Sequence, residues 1–304
     1  VYGRVGKYLS LWKLKKDGTV QTREGGWTWG DWGENKDLPL LFNTQYYMAV
    51  DSYKRMSRLL GKNAKADSLN AKMDKFKKDF NAVFWNGKAY RSADYKGETD
   101  DRAQGPAVVA GLADTEKHPA IYEVLQKERH ASPYMGKYIL EALFQMGYAD
   151  FALRRMRERF GTMVEHPTIT TMWEGWGIGS EGYGGGTINH AWSGRGLTLL
   201  SQYVAGIYPT SAGYITFKVK PQLGFLKKVK AVVPSVKGTI EASIERTDNE
   251  YQLFVDVATG SRASIHIPSG YKTLKLDGKS VTFKTENAYH VIEVEQGLHK
   301  FTAR

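Results

Sequence analysis

The 304-residue sequence contains no cysteine. Disulfides, thiolate nucleophiles, zinc–thiolate sites and iron–sulfur clusters are excluded together. No uninterrupted apolar run reaches the roughly 18 residues of a transmembrane helix. The chain begins Val1-Tyr2-Gly3-Arg4, with no initiating Met and no signal peptide, so a processed chain or a piece of a longer one is expected. The seven histidines are scattered, with no His-Glu-x-x-His or comparable spacing. Phosphate-cradling glycine motifs and a nucleophile elbow are missing too, so neither metal nor cofactor is expected. Tryptophan is absent from the last third: all eight lie before residue 193.

The length suggests about two domains. With 41% hydrophobic and 25% charged residues, the chain can bury a sizeable core. The net charge of +11 raises the question of nucleic acid or an anionic membrane. Its distribution argues against both, because residues 208–304 carry +5 and residues 1–207 carry +6. The densest basic stretches, Lys72–Lys78 and Arg154–Arg159, are interleaved with apolar residues at helical spacing, as on a solvated helix face. A mild positive field also suits an anionic sugar polymer.

Residues 40–207 read as helices. Residues 43–60 form one segment, with Asn43 placed to cap its start and Gly61 to end it. In 63–84, Ala66, Leu69, Met73, Phe76, Phe80 and Phe84 recur every three or four residues and predict one buried stripe. Trp85-Asn86-Gly87-Lys88 reads as a turn. Helical stretches follow at about 102–113, 117–130, 134–147 and 149–160, and a last one runs from His190 to about Ile207. Gly105 and Pro106 suit the first turn of theirs. Short connections between amphipathic helices predict hairpins packed side by side.

From residue 208 the period changes to two. Thr216–Val219, Val229–Val233, Thr239–Ile244, Leu253–Val257, Ala263–Ile267, Ser280–Lys284 and Val291–Val294 alternate, separated by turns at the spacing of a β-sandwich. The boundary is expected near Tyr208-Pro209, where proline ends the helix.

Three stretches can carry chemistry. In Glu24–Glu34, Trp27, Trp29 and Trp32 crowd a glycine-rich loop. Indoles stack on sugar rings, and they also fill cores. Asp31, between Gly30 and Trp32, can accept from ligand hydroxyls or serve as a turn aspartate. In Thr170–Trp176, Glu174 lies in an uncharged stretch, with Trp173 and Trp176 nearby. Apolar neighbours raise a carboxyl pKa and nearby charge lowers it, so acid–base work and a buried structural glutamate both stand. A glycine-rich loop, Gly177–Gly186, precedes Asn189-His190-Ala191-Trp192. His190 can donate to a hydroxyl or steady a carboxylate. In Glu98–Gln104, Asp100 or Asp101 can cap the following helix, and Asp101 or Arg102 can bind a ligand.

Taken in order, Gly30-Asp31-Trp32, the helix ending Leu59-Leu60-Gly61-Lys62, Asp100-Asp101-Arg102-Ala103, Thr170-Thr171-Met172-Trp173-Glu174 and Asn189-His190-Ala191 resemble the α-L-rhamnosidases of glycoside hydrolase family 78. So do Tyr203–Ile207 and the following Val219-Lys220-Pro221. The resemblance spans nearly the whole chain and rests on the ordered set, each motif being weak alone.

It implies part of an (α/α)6 barrel over residues 1–207, apparently lacking its N-terminal half, followed by an antiparallel β-sandwich over residues 208–304. About seven helices are read where twelve are expected. The implied chemistry is inverting hydrolysis that releases terminal α-L-rhamnose, with two carboxylates about 6.5–9.5 Å apart. By the resemblance Glu174 is the general base, His190 binds the sugar, and Asp31 and Trp32 contact it; Trp173, Trp176, Asp101 and Arg102 are the further substrate-binding candidates. The glycine-rich insertion before Asn189 implies a reshaped aglycone side.

The family's acid lies in an Asp…Arg-x-Glu motif upstream of Gly-Asp-Trp, and nothing like it occurs here. The missing part of the same enzyme is therefore an expected partner, covering the apolar face that half a barrel exposes. A periplasmic or extracellular bacterial setting is the family's implication. Another helical-barrel glycosidase acting on an acidic oligosaccharide, such as an unsaturated-glucuronyl hydrolase, is the alternative, and a non-catalytic carbohydrate-binding protein is a second.

Overall fold

The computed structural model describes residues 1–23, 25, 28–178 and 186–304. Glu24 and Trp27, and most of the glycine-rich stretch before Asn189, lie outside the described residues, so the readings placed on them are not taken further. Among the described residues eight α-helices precede the β-strands: part of an (α/α)6 six-hairpin domain, then a β-sandwich. Two compact units are formed, one by Val1–Gly147 with Phe160–Ser193, the other by Tyr148–Arg159 with Gly194–Arg304. No described helix is long and apolar enough to cross a membrane.

The first unit is built from helical hairpins. Helix α1 (Tyr2–Ser10) precedes α2 (Leu38–Leu59) and α3 (Asn63–Phe84), which pack as a pair. All six residues of the expected α3 stripe are buried, and Phe76, Phe80 and Phe84 form a run of ring contacts 6.4 and 5.1 Å apart. Each such fully buried side chain contributes about 1.5–3 kcal/mol.

The start of α2 differs from the expectation. Asp37 caps it by accepting from Leu40 N, and Pro39 occupies its first turn. Asn43 is instead a buried interior residue, its Oδ1 accepting from Val20 N at 2.7 Å and its Nδ2 donating to Pro39 O at 2.7 Å.

Helix α4 (Asp101–Val109) is capped by Asp100, whose side chain accepts from Arg102 N. Pro106 lies inside this helix rather than in its first turn. Gly105 has a packing reason. A Cβ there would meet Ile139 N and the Tyr138 carbonyl carbon at 3.0 Å, so its absence lets α4 lie against the backbone of α6 (Pro133–Gln145). Ser132 caps α6, accepting from Met135 N. Helix α5 (His118–Lys127) lies between them in sequence, and α7 (Ala149–Val164) follows.

The last helical stretch is shorter and more varied than expected. A 3-10 turn (Ala191–Gly194) leads into α8 (Arg195–Leu199) and a π turn (Leu200–Val204). The last helical turn ends at Val204, and the chain turns away at Gly206, before Pro209 is reached. Gly206 has φ +77°, and an added Cβ would sit 2.2 Å from the Lys220 carbonyl carbon. Tyr208 and Pro209 already belong to strand β1 (Ile207–Pro209).

Ten further strands complete the sandwich: β2 (Thr216–Val219), β3 (Lys228–Ser235), β4 (Gly238–Arg246), β5 (Tyr251–Val257), β6 (Arg262–Pro268), β7 (Leu274–Leu276), β8 (Lys279–Ser280), β9 (Lys284–Glu286), β10 (Tyr289–Val294) and β11 (Gly297–Ala303). One sheet has the order β1-β2-β6-β10-β9 and the other β3-β4-β5-β11-β7-β8. Pairing is antiparallel except for β2 with β6, which run parallel with Thr216 opposite Arg262. Strand β5 alternates without a break, and Tyr251, Leu253, Val255 and Val257 are buried. They join Phe217, Ile265, Ile267, Ile292 and Phe301 in one core shared by both sheets. The expected strand over Ser280–Lys284 is instead two short strands, β8 and β9.

Candidate active site

The site forms where two segments of the first unit run side by side. Glu174 N donates to Thr187 O at 2.9 Å, and His190 N donates to Met172 O at 2.8 Å. Thr171 Oγ1 donates to Ile188 O, and Trp192 Nε1 donates to Glu174 O at 3.1 Å. Ser193 Oγ closes the far end by donating to Trp173 O at 2.5 Å. This pairing brings Glu174, Thr187 and His190 together.

The Glu174 carboxylate is well supplied with donors. Its Oε1 accepts from Trp32 Nε1 at 3.2 Å. Its Oε2 accepts from Thr187 N at 3.0 Å and Thr187 Oγ1 at 3.3 Å, and lies 3.6 Å from His190 Nδ1. The sequence left the direction of its pKa open. The Thr187 backbone N–H, helped by His190, the Thr187 hydroxyl and the Trp32 indole, outweighs partial burial and holds the carboxyl below the ordinary glutamate value. A carboxylate kept ionised accepts a proton readily and donates one poorly, so the environment suits a base.

Aromatic rings wall this carboxylate. Trp29 stacks on Trp192 with centroids 6.1 Å apart and meets Trp32 edge-on at 5.9 Å. Tyr134 contacts Trp29 at 5.8 Å and Trp192 at 5.2 Å, and the His190 ring lies 4.2 Å from Trp192. All five rings are half-buried, with part of each surface open. Such surfaces suit the apolar face of a sugar, while the carboxylate and imidazole offer hydrogen bonds. Tyr134 and Thr187 carried no sequence signal: a tyrosine at a helix start and a threonine after glycines are ordinary residues.

Of the remaining expected site residues, Asp31, Asp101, Arg102 and Trp173 are buried and Trp176 is half-buried. Asp31 is fully buried. Its Oδ1 accepts from Ser132 Oγ at 2.5 Å and its Oδ2 from Ser132 N at 3.0 Å, which ties the Gly30–Trp32 loop to the start of α6. Burial pushes the Asp31 pKa up against those hydrogen bonds. Asp101, also fully buried, accepts from Ala131 N at 3.0 Å.

Arg102 is enclosed as well. Its Nε donates to Asp100 Oδ1 at 2.7 Å, and its terminal nitrogens donate to Trp32 O at 2.8 Å, Glu34 O at 2.6 Å and Asn35 O at 2.5 Å. It therefore clamps the loop that delivers Trp32 to Glu174. Trp173 is 1% exposed, its ring against His166 at 5.4 Å. Trp176 is half-buried, donates to Ala131 O at 2.7 Å and meets Phe160 edge-on at 4.9 Å. Of the expected set, Glu174, Trp32 and His190 thus converge, while Asp31, Asp101, Arg102 and Trp173 act as interior supports.

One group of metal-ligand type also forms among the described residues. Glu98, Glu128 and His130 bring one ligand atom each within 4.8 Å of one another. His130 Nε2 lies 3.1 Å from Glu128 Oε2 and 3.3 Å from Glu98 Oε2, so the imidazole already bridges both carboxylates. Sequence spacing gives no hint of the group, because Glu98 is far from the other two along the chain.

Residues 1–204 match the sequence profile of the bacterial α-L-rhamnosidase six-hairpin glycosidase domain, and residues 206–282 match that of the bacterial α-L-rhamnosidase C-terminal domain. No curated protein matches. Among solved structures, an α-L-rhamnosidase from Dictyoglumus thermophilum is 24% identical with a TM-score of 0.85, over 99% of this chain and 36% of that one. An α-L-rhamnosidase from Streptomyces avermitilis, complexed with L-rhamnose, is 20% identical with a TM-score of 0.83, over 100% of this chain and 30% of that one. One from Aspergillus terreus is 14% identical with a TM-score of 0.79, over 100% of this chain and 36% of that one. At these identities the likeness speaks to fold. The chain spans about a third of the length of each.

Proposed function

This chain belongs to the bacterial α-L-rhamnosidase six-hairpin glycosidase family, and on that premise we propose that it carries the base side of an enzyme hydrolysing terminal α-L-rhamnosides with inversion. In this reading Glu174 takes a proton from the attacking water as the water reaches the anomeric carbon. The half-buried indoles and His190 hold the deoxysugar. Asp31, Asp101 and Arg102 act one step back, fixing the loops from which Trp32 and the start of α6 project.

The observation that carries the reading is the Glu174 carboxylate, held ionised by Trp32 and Thr187 and facing aromatic walls. An inverting mechanism also needs a general acid. Asp31, Asp37, Asp100 and Asp101, the buried aspartates of this unit among the described residues, are each committed to protein donors. The proposal therefore assigns the acid to the complementary part of the six-hairpin domain. That part also covers apolar side chains exposed on this unit, such as Leu11 and Ile188.

The test is Glu174→Gln in the complete enzyme. Turnover of an aryl α-L-rhamnoside is expected to fall by at least about a thousandfold, with little change in thermal midpoint. Proton NMR at early times should show β-L-rhamnose as the first product of the unaltered enzyme. Near-normal turnover by the variant refutes the assignment of the base, and an α first product refutes inversion.

A further inference from the structure

Between the two groups already placed in the site stands a hydroxyl that touches both. Thr187 Oγ1 lies 3.3 Å from Glu174 Oε2 and 2.8 Å from His190 Nδ1. An ionised carboxylate can only accept, so the Thr187 proton points to Glu174. The oxygen lone pairs are then left for His190, and Nδ1 must bring the hydrogen. A neutral His190 is therefore protonated on Nδ1, and its Nε2 carries the free lone pair.

We propose that Thr187 is a positioning residue that orients Glu174 and fixes His190 as the Nδ1–H tautomer, so that His190 meets a sugar hydroxyl as an acceptor and not as a donor. The chain of donors runs from the sugar hydroxyl to His190 Nε2, from Nδ1–H to Thr187 Oγ1, and from the Thr187 hydroxyl to Glu174 Oε2. No proton moves along it; it sets directions. Charge on the carboxylate strengthens the Thr187 bond, and that bond in turn polarises the hydroxyl oxygen toward His190. The donors reaching the carboxylate come from the loop of Trp32 and from Thr187 itself.

This inference rests on the assignment of Glu174 as base, and the experiment separates the two. Thr187→Val, Thr187→Ala, Thr187→Ser and Glu174→Gln are compared in the complete enzyme on an aryl α-L-rhamnoside across pH. Thr187→Val keeps the backbone N–H on Glu174 and removes only the hydroxyl. Because Thr187 is exposed, the fold is expected to survive, and Thr187→Ala repeats the test with a smaller side chain.

The relay predicts that both lower kcat/KM about 10- to 100-fold, the scale of one lost hydrogen bond to a charged group. They also move the acid limb of the profile to higher pH and raise the inhibition constant for L-rhamnose. Thr187→Ser, which keeps the hydroxyl, should recover most of each effect. Unchanged kcat/KM and an unmoved acid limb in Thr187→Val and Thr187→Ala, with Glu174→Gln inactive, overturn the relay and leave the base in place. An active Glu174→Gln overturns the base first.

Discussion

Replacing Arg102 by methionine tests whether the interior supports matter as argued. The guanidinium has no solvent exposure and makes four hydrogen bonds, one to Asp100 and three to the carbonyls of Trp32, Glu34 and Asn35. Methionine fills much of the same volume and makes none of them. The substitution leaves the Asp100 carboxylate enclosed without its cation, and breaking one side of a buried ion pair costs about 3–5 kcal/mol. The orphaned carbonyls lie in a partly exposed loop that water can reach, so their loss adds less than the 1–3 kcal/mol typical of fully buried groups.

At about 2–4 °C per kcal/mol for a unit of this size, the calorimetric midpoint should drop by roughly 6–20 °C. Arg102→Lys keeps the charge, but an ammonium cannot span Asp100 and the carbonyl row, so it should fall between. Adding Asp100→Asn to Arg102→Met removes the uncompensated charge and should return part of the stability. A midpoint within about 2 °C of the unaltered protein, or a double variant less stable than the sum of the singles, would refute the reasoning.

Two other substitutions probe packing and charge separately. Gly105→Ala should destabilise the protein by about 1–3 kcal/mol in urea unfolding, because its Cβ meets α6 backbone at 3.0 Å. Helix propensity alone predicts a gain of up to about 1 kcal/mol, so a stabilised variant would show the close approach to be unimportant. Trp32→Phe keeps a ring and removes the donor 3.2 Å from Glu174 Oε1. The hydrogen bonds hold the Glu174 pKa down, so this carboxylate stays ionised to lower pH than an ordinary glutamate. Loss of the indole N–H must raise that pKa and move the acid limb of kcat/KM upward. The same sign governs stability: the contribution of Glu174 is present above its unfolded pKa and disappears as pH falls through the lower folded value. An acid limb that stays put or moves down would contradict this.

The fold was legible wherever one face of an element decided it. The α3 stripe and strands such as β5 bury one side only, so periodicity reported them directly. Elements fixed by partners distant in sequence were harder. Asn43 has the chemistry of a cap, but Val20 N takes its side chain and Asp37 caps α2 instead. Placing the end of the last helix at Pro209 fails in the same way, because Gly206 has already turned the chain before the proline is reached. Helix α1 carries Tyr2, Val5 and Leu9 at helical spacing, but it is short and none of its residues is buried. The parallel pairing of β2 with β6 joins segments far apart in the chain, and nothing local encodes it.

At the site the sequence specified chemistry but not commitment. A carboxylate beside indoles is a reasonable candidate wherever it occurs, and Asp31 and Glu174 look alike on that criterion. What separates them is how each donor set is placed. Both Asp31 oxygens are bonded to one serine in a sealed interior, while the donors of Glu174 hold it ionised in a partly open wall. Arg102 likewise has the residue type of an anion ligand, and its guanidinium is instead filled by the protein's own carbonyls. A buried polar group is satisfied either by the fold or by a ligand, and only coordinates show which. The supports are nonetheless part of the site, because Arg102 holds the backbone of Trp32 and Trp32 holds Glu174. A substitution at Arg102 should therefore weaken catalysis in the same direction as Trp32→Phe, through the position of one indole.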